Sequence, residues 1–362
     1  QDETAVVPDP AVLARVATAL NSAQRPGLIA GPAVDAEGAR KDLVQLAERL
    51  NARVWGSPVW PRSSFPENHP LFAGVLPPIS EMIHDRLAEH DVVAVFGSPM
   101  FTLFTTFDLF TNEPADLDSS DLPQLPSGTE FFHFTDNPEA AAWAMAGSSF
   151  VVPPGEAVRQ LVPMVSQRER VALPPVREPI PLPGPSTPLT EPYLFHVLSR
   201  ELPEDAAVFE ELPIGRAAFH EQIPLGPDNR YFATASGALG FPFAGAVGYA
   251  LARPDQRTVV VVGEGSAQYT LQSLWTAAKH KLPITYIIPD NSGYLSLKYY
   301  LGEASQRAWQ SGWDLSGVDM AALARGFGVP AKRIETPDQL HAELRNALNA
   351  DGPMSVSYTH LT

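Results

Sequence analysis

Short apolar runs alternate along the chain with longer stretches whose apolar residues recur at helical spacing. In the first half, Gly27 to Gly31 (GLIAG), Ala52 to Ser57 (ARVWGS), Asp91 to Ser98 (DVVAVFGS) and Phe131 to Thr135 (FFHFT) read as buried strands. Ala36 to Leu50 and Ser80 to His90 lie between them with helical periodicity. The same grammar returns in the second half. Ala206 to Glu210, Arg257 to Gly263 and Pro283 to Pro289 predict strands; Phe241 to Ala252, Ala267 to Lys281, Met320 to Phe327 and Pro337 to Asn349 predict helices. Ser355 to Thr362 begins like a last strand. This alternation predicts an α/β protein with two Rossmann-like three-layer domains, each built on a parallel sheet.

The division is marked by proline. Eight of the 37 prolines fall between Val171 and Pro192, a density that sustains neither a helix nor a central strand. The expected organisation is therefore a central domain over 1–170, a Pro-rich linker over 171–192 and a second domain over 193–362. An SH3-type ligand is the other reading of that stretch. Thr111 to Gly128, acidic and turn-rich, is expected to be a surface excursion of the first domain.

Composition narrows the function classes. The formal charge of −16 disfavours non-specific binding to nucleic acid or to an anionic membrane. No apolar run approaches the length of a membrane span. The absence of cysteine removes disulfides, Fe–S clusters, Cys-ligated zinc and a thiol nucleophile. It also fits a reducing compartment, and with no leader pattern after Gln1 the expected location is cytoplasmic. The histidines form no paired metal spacing; His280 reads as a solvated helix end, and His69, His84 and His90 as surface or satisfied turn positions. No GxSxG elbow supports a hydrolase.

A dinucleotide fingerprint is absent from the first domain, because Gly31 is followed by Pro32 and by no glycine at the required spacing. The informative stretch is Val259 to Tyr294. Four valines, Val259 to Val262, lead into Gly263-Glu264-Gly265-Ser266 at the carboxyl end of a buried strand, where open parallel sheets bind ligands. The glycines permit close approach of a phosphate, Ser266 can donate a hydrogen bond, and the next helix is expected to turn its N-terminus toward the anion. A second strand ends at Asp290-Asn291-Ser292-Gly293. The Glu264 carboxylate, the Asn291 amide oxygen and the Gly293 carbonyl form an oxygen-only set suited to Mg²⁺ completed by diphosphate and water. Taken alone, each of these motifs is an ordinary turn; their spacing across one βαβ unit points to a joint site.

With those residues in view, the chain resembles the thiamine diphosphate-dependent enzymes, whose metal and diphosphate motif runs from Gly-Asp-Gly to Asn-Asn over a similar interval. Within that family the resemblance is to the benzoylformate decarboxylases, through GSAQYTLQSLWTAAKHKLP, SGALGF (Ser236 to Phe241), HDVVAVFGSP (His90 to Pro99) and the stretch from Leu43 to Phe72. It implies that Glu264, Asn291 and the Gly293 carbonyl hold Mg²⁺, and that Gly265, Ser266 and Tyr294 face the diphosphate. It implies also that Gly237 offers its carbonyl to the cofactor's aminopyrimidine and that Leu239 is the apolar wedge that bends the cofactor. Phe104, Leu297 and Tyr300 become substrate-pocket candidates, although core packing accounts equally well for Leu297 and Tyr300. The implied reaction is non-oxidative decarboxylation of a 2-keto acid to an aldehyde and carbon dioxide. An acetolactate synthase-like or benzaldehyde lyase-like carboligase and a non-catalytic scaffold are the rivals.

Four departures qualify the match. Glu264 stands where the family has Asp, so the extra methylene must be absorbed by a shift of about 1.5 Å. Asp290 replaces the first Asn of the pair and adds negative charge. Leu212 and Pro213 replace hydroxyl-bearing residues near the diphosphate, with Arg216 as a source of compensating charge. Phe104 stands where the benzoylformate decarboxylases have an active-site histidine. The family also carries an N-terminal pyrimidine-binding domain that supplies the activating carboxylate. That domain is expected to be absent from this chain, leaving the piece inactive alone, and the full-length parent is expected to be a homo-oligomer, a dimer or tetramer, acting on a small-molecule substrate.

Overall fold

The computed structural model describes residues 7–78, 80–101, 125–173, 182–185, 189–297 and 312–359. Two compact units divide the chain, Gln1–Glu178 and Pro179–Thr362. Among the described residues no helix is long and apolar enough to cross a membrane.

The first unit runs α1 (Pro10–Ser22), β1 (Pro26–Ala30), α2 (Pro32–Ala36), α3 (Arg40–Leu50), β2 (Arg53–Gly56), β3 (Phe72–Val75), α4 (Ser80–Leu87), β4 (Val92–Phe96), β5 (Glu130–Thr135), α5 (Pro138–Ala142), β6 (Ser148–Val151) and α6 (Pro154–Leu161). Its six strands are parallel in the order β3-β2-β1-β4-β5-β6. This is a Rossmann order, with strands β1 and β4 buried along their whole length. The helix expected over Ala36 to Leu50 begins only at Arg40; Ala36 closes the preceding helix α2, and Gly38, at φ +69°, lies in the turn between them. At the carboxyl end of β1, Gly31 donates to Phe96 and Ala33 donates to the Gly97 carbonyl. A Cβ on Gly31 would lie 2.3 Å from the Gly97 backbone. The place where a dinucleotide pyrophosphate would rest is thus filled by the chain itself.

The second unit runs α7 (Glu191–Glu201), β7 (Ala207–Glu211), α8 (Arg216–Gln222), β8 (Arg230–Ala233), α9 (Phe241–Ala252), β9 (Thr258–Val262), α10 (Glu264–Ala267), α11 (Ser273–His280), β10 (Ile284–Asp290), α12 (Met320–Gly326), β11 (Ala331–Ile334), α13 (Pro337–Leu348) and β12 (Met354–Thr359). Its parallel sheet has the order β11-β12-β10-β9-β7-β8. Phe243 stacks on Tyr286 at 4.8 Å within a core that includes Phe209, Val260, Leu274 and Ile288. The chain moves from β7 out to β8 and then returns to β9 on the other side of β7. The strand order reverses there, and ligands of open sheets bind at the carboxyl ends beside such a reversal.

Two expectations change. Helix α7 begins at Glu191, inside the proline-rich stretch assigned to the linker, because a helix tolerates Pro192 in its first turn. The helix expected over Ala267 to Lys281 is interrupted. Tyr269, Thr270, Ser273, Leu274 and Trp275 each donate to the carbonyl three residues earlier, a tighter winding than the α-helix. The expected surface excursion, Thr111 to Gly128, lies outside the described residues as far as 124.

Candidate cofactor and metal site

At the end of β9 the backbone turns at Gly263, and Glu264 opens the four-residue helix α10. Glu264 is 3% exposed. Its Oε1 accepts hydrogen bonds from the Asn291 N–H at 3.2 Å and the Gly293 N–H at 2.8 Å, across the turn that follows β10. The Gly293 N–H also donates to Asn291 Oδ1 at 3.1 Å. Glu264, Asn291 and Gly293 are therefore brought into direct contact, and the longer Glu side chain reaches the amides of the facing turn. Ser292 takes φ +59° there, with its N–H donating to Asp290 Oδ1 at 2.9 Å. The turn is held from beyond by Trp313 and Leu315: Tyr294 donates to the Trp313 carbonyl and Leu315 donates to the Ser292 carbonyl, each at 2.8 Å.

Burial pushes the Glu264 carboxyl up to about 7; the Gly293 N–H opposes this and nearby Asp290 adds to it. Asp290 thus acts as the added negative charge expected of it. A carboxylate has about four lone-pair sites, and these two amide bonds occupy two. The remaining sites, the second lone pair of Asn291 Oδ1 and the Gly293 carbonyl are hard oxygens that fit a Mg²⁺-type ion. Among the described residues no three His, Cys, Asp or Glu side chains cluster for a metal, so a cation here would depend on this mixed side-chain and backbone set.

Gly265 packs beneath the Tyr294 ring so closely that a Cβ would lie 2.6 Å from Cε1. Ser266 is buried. The helix that follows the Gly263 turn, α10, spans only four residues. Gly237, at φ +73°, and the half-buried Leu239 lie on the turn before α9. Leu297 is 47% exposed, just past Tyr294. Phe104 and Tyr300 lie outside the described residues.

Arg216 does not supply free compensating charge. Its Nε donates at 2.8 Å to Glu210 Oε2, and Tyr231 donates to the same oxygen at 2.6 Å, while Leu212 N–H donates to Oε1. Glu210 is wholly buried, so the guanidinium neutralises it. Sequence reasoning passed over its neighbour Glu211, 2% exposed at the end of β7. The only signal was two consecutive acids closing an apolar strand.

In the first unit a cavity of about 790 Å³ is lined by residues that include Arg25, Arg53, His90 and Arg168. It lies where β1 and β2 begin, at the opposite edge from the carboxyl ends where open sheets take ligands. His90 is buried with both ring nitrogens engaged, Nδ1 with the Arg25 carbonyl and Nε2 with Trp55 Nε1.

The chain matches two parts of one family, the central domain of thiamine pyrophosphate enzymes over residues 13–120 and their C-terminal TPP binding domain over 214–358. It is 33% identical over 359 residues to benzoylformate decarboxylase of Pseudomonas aeruginosa, covering 97% of this chain and 64% of that protein. It is 25% identical to the acetolactate synthase large subunit of Parasynechococcus marenigrum, over 96% of this chain and 57% of the relative. A solved Rhodococcus jostii thiamine diphosphate-dependent 4-hydroxybenzoylformate decarboxylase superposes with TM-score 0.88 at 32% identity, over 100% of this chain and 66% of that one. The chain thus spans less than two thirds of the length of these relatives. The two parallel sheets, the contact between the β9 and β10 turns and the paired domain matches lead to one assignment: the chain belongs to the thiamine pyrophosphate enzyme family and carries its central and C-terminal domains.

Proposed function

We propose that this chain forms part of a thiamine diphosphate- and Mg²⁺-dependent enzyme that decarboxylates a 2-keto acid to an aldehyde and carbon dioxide without oxidation. The observation that carries the reading is the contact of Glu264 with the Asn291 and Gly293 amides beside the strand-order reversal. Thiamine diphosphate, when bound, supplies the electron sink for loss of carbon dioxide. In this reading Glu264, Asn291 and the Gly293 carbonyl hold the cation, while Gly265, Ser266 and Tyr294 meet the diphosphate. Gly237 and Leu239 orient the pyrimidine end. Leu297 offers exposed apolar surface to a substrate, and Phe104 and Tyr300 are further substrate-contact candidates on the resemblance alone. The similarity to benzoylformate decarboxylase supports an aromatic 2-keto acid. Similarity to an acetolactate synthase favours carboligation as the second reading. Homo-oligomerisation of the whole enzyme, with the activating carboxylate on a third domain, belongs to the same proposal; by itself the chain binds the cofactor without turnover.

Calorimetric titration of the chain with thiamine diphosphate tests the site. Binding that requires Mg²⁺ is expected, and binding indifferent to Mg²⁺ would overturn the cation assignment. With the pyrimidine-binding domain supplied, a single aldehyde product speaks for decarboxylation and a 2-hydroxy ketone for ligation.

A further inference from the structure

The turn from Gly237 to Gly240 has little to hold it along most of its length. Ser236, Gly237 and Ala238 are exposed, and the space around Gly237 is open to 4 Å. Within the turn, the Ala238 N–H reaches Ser236 Oγ only at 3.4 Å. Gly240 is different. It takes φ +102°, and a Cβ there would lie 2.8 Å from the Tyr269 Cβ, so only glycine fits. Its N–H donates to Glu211 Oε1 at 2.8 Å, and its carbonyl accepts from Thr270 Oγ1 at 2.6 Å. Residue 240 is gripped from both sides, by the end of β7 and by the segment after α10.

We propose that Glu211 is a positioning residue that sets the Gly237–Gly240 turn, and with it the Leu239 wedge, for the pyrimidine end of the cofactor; this rests on the functional reading above. Three observations support it. Glu211 is itself fixed, because its main-chain carbonyl accepts from Gly263 at 3.3 Å, which ties it to the strand that delivers Glu264. Its carboxylate is buried, and besides the Gly240 N–H it faces the Phe241 N–H and the Ser266 hydroxyl. A carboxylate is costly to bury, so an acid at a strand end where an apolar residue would pack is explained by the bond that it makes. Finally, Leu239 is the residue next to the gripped one. The bond to Gly240 acts on the pyrimidine side of the site, and of the residues assigned to the diphosphate, Gly265, Ser266 and Tyr294, Glu211 faces Ser266 alone.

That separation gives the test. The full chain, Glu211→Ala and Glu211→Gln are compared by amide hydrogen exchange at Gly240 and by calorimetry with Mg²⁺ plus either thiamine diphosphate or inorganic diphosphate. Glu211→Ala is expected to speed Gly240 exchange about tenfold and to weaken thiamine diphosphate about tenfold, the worth of one such hydrogen bond, while inorganic diphosphate is weakened less, through the lost Ser266 contact alone. Glu211→Gln keeps an acceptor and is expected to restore both. Should Glu211→Ala fail to fold, Thr270→Val removes the opposite grip and is expected to show the same selective loss. Unchanged Gly240 exchange, or an equal loss of both ligands, overturns the assignment of Glu211 and leaves the cofactor site standing. A wild-type chain that binds neither ligand overturns the cofactor site, and this proposal falls with it.

Discussion

Replacing Glu264 with Gln removes one buried charge and keeps an oxygen that can accept from the Asn291 and Gly293 N–H groups. The Glu264 carboxyl moves from an ordinary 4.5 to about 7, chiefly through burial. A carboxyl raised in the folded state keeps its proton between those values while the unfolded chain has released it. The folded state then binds more protons, and stability falls as pH rises across the window. At about 1.36 kcal/mol per pH unit the cost of ionising Glu264 in place reaches about 3 kcal/mol above pH 7. Glu264→Gln should therefore match the wild type below about pH 4.5 and exceed it by about 3 kcal/mol above about pH 7. For a unit of this size that is a gain of about 6 to 12 °C in Tm. Thermal denaturation with a chelator present, from about pH 5 to about pH 8, reads the difference between the two proteins, and acid effects common to both cancel. A difference that stays flat with pH, or favours the wild type as pH rises, would refute the reasoning. Added Mg²⁺ should reverse the order by stabilising only the protein with a carboxylate to offer.

Three other outcomes are expected. Gly265→Ala should cost about 1 to 3 kcal/mol, because its Cβ would fall 2.6 Å from the Tyr294 ring. Adding Tyr294→Ala should recover most of that loss in a denaturation cycle, and additive losses would count against the contact. Arg216→Met should cost about 3 to 5 kcal/mol in urea unfolding, since it strips the buried Glu210 of its cation; a loss below about 1 kcal/mol would show that the Tyr231 hydroxyl and the Leu212 N–H suffice. Gly31→Ala should unfold the first unit or destabilise it by more than about 3 kcal/mol, because the new Cβ meets Gly97 backbone that no rotamer change can move. Circular dichroism of the variant would show it, and a melt like the wild type's would contradict the close approach.

The strands that were legible share one property, a place inside a sheet with a neighbour on either side. The valines of β9 and the apolar run of β4 are covered on both faces, so each position had to be apolar and the pattern was unbroken. The strands that escaped notice are the edges, β3, β6, β8 and β11, each four residues long. An edge strand is covered on one side only, and AKRI in β11 or SSFV in β6 carries no alternation long enough to register. The interrupted helix after Glu264 failed for another reason. Its residues have helical periodicity, yet Thr270 is drawn to the Gly240 carbonyl, and the winding tightens to suit a partner thirty residues away.

The candidate site divides along the same line. Two turns at the carboxyl ends of two neighbouring strands were determined by the sequence alone, because a βαβ unit leaves little choice about which ends lie together. The residues named for the cation, Glu264, Asn291 and Gly293, came from that constraint together with the chemistry of their oxygens. What only the tertiary structure decided was which partners the buried carboxylates take: Glu210 holds the Arg216 guanidinium, and Glu211 accepts from the Gly240 N–H. Hydrogen bonds between residues far apart in the chain depend on side-chain reach and burial, and neither is written in the local pattern of polar and apolar positions.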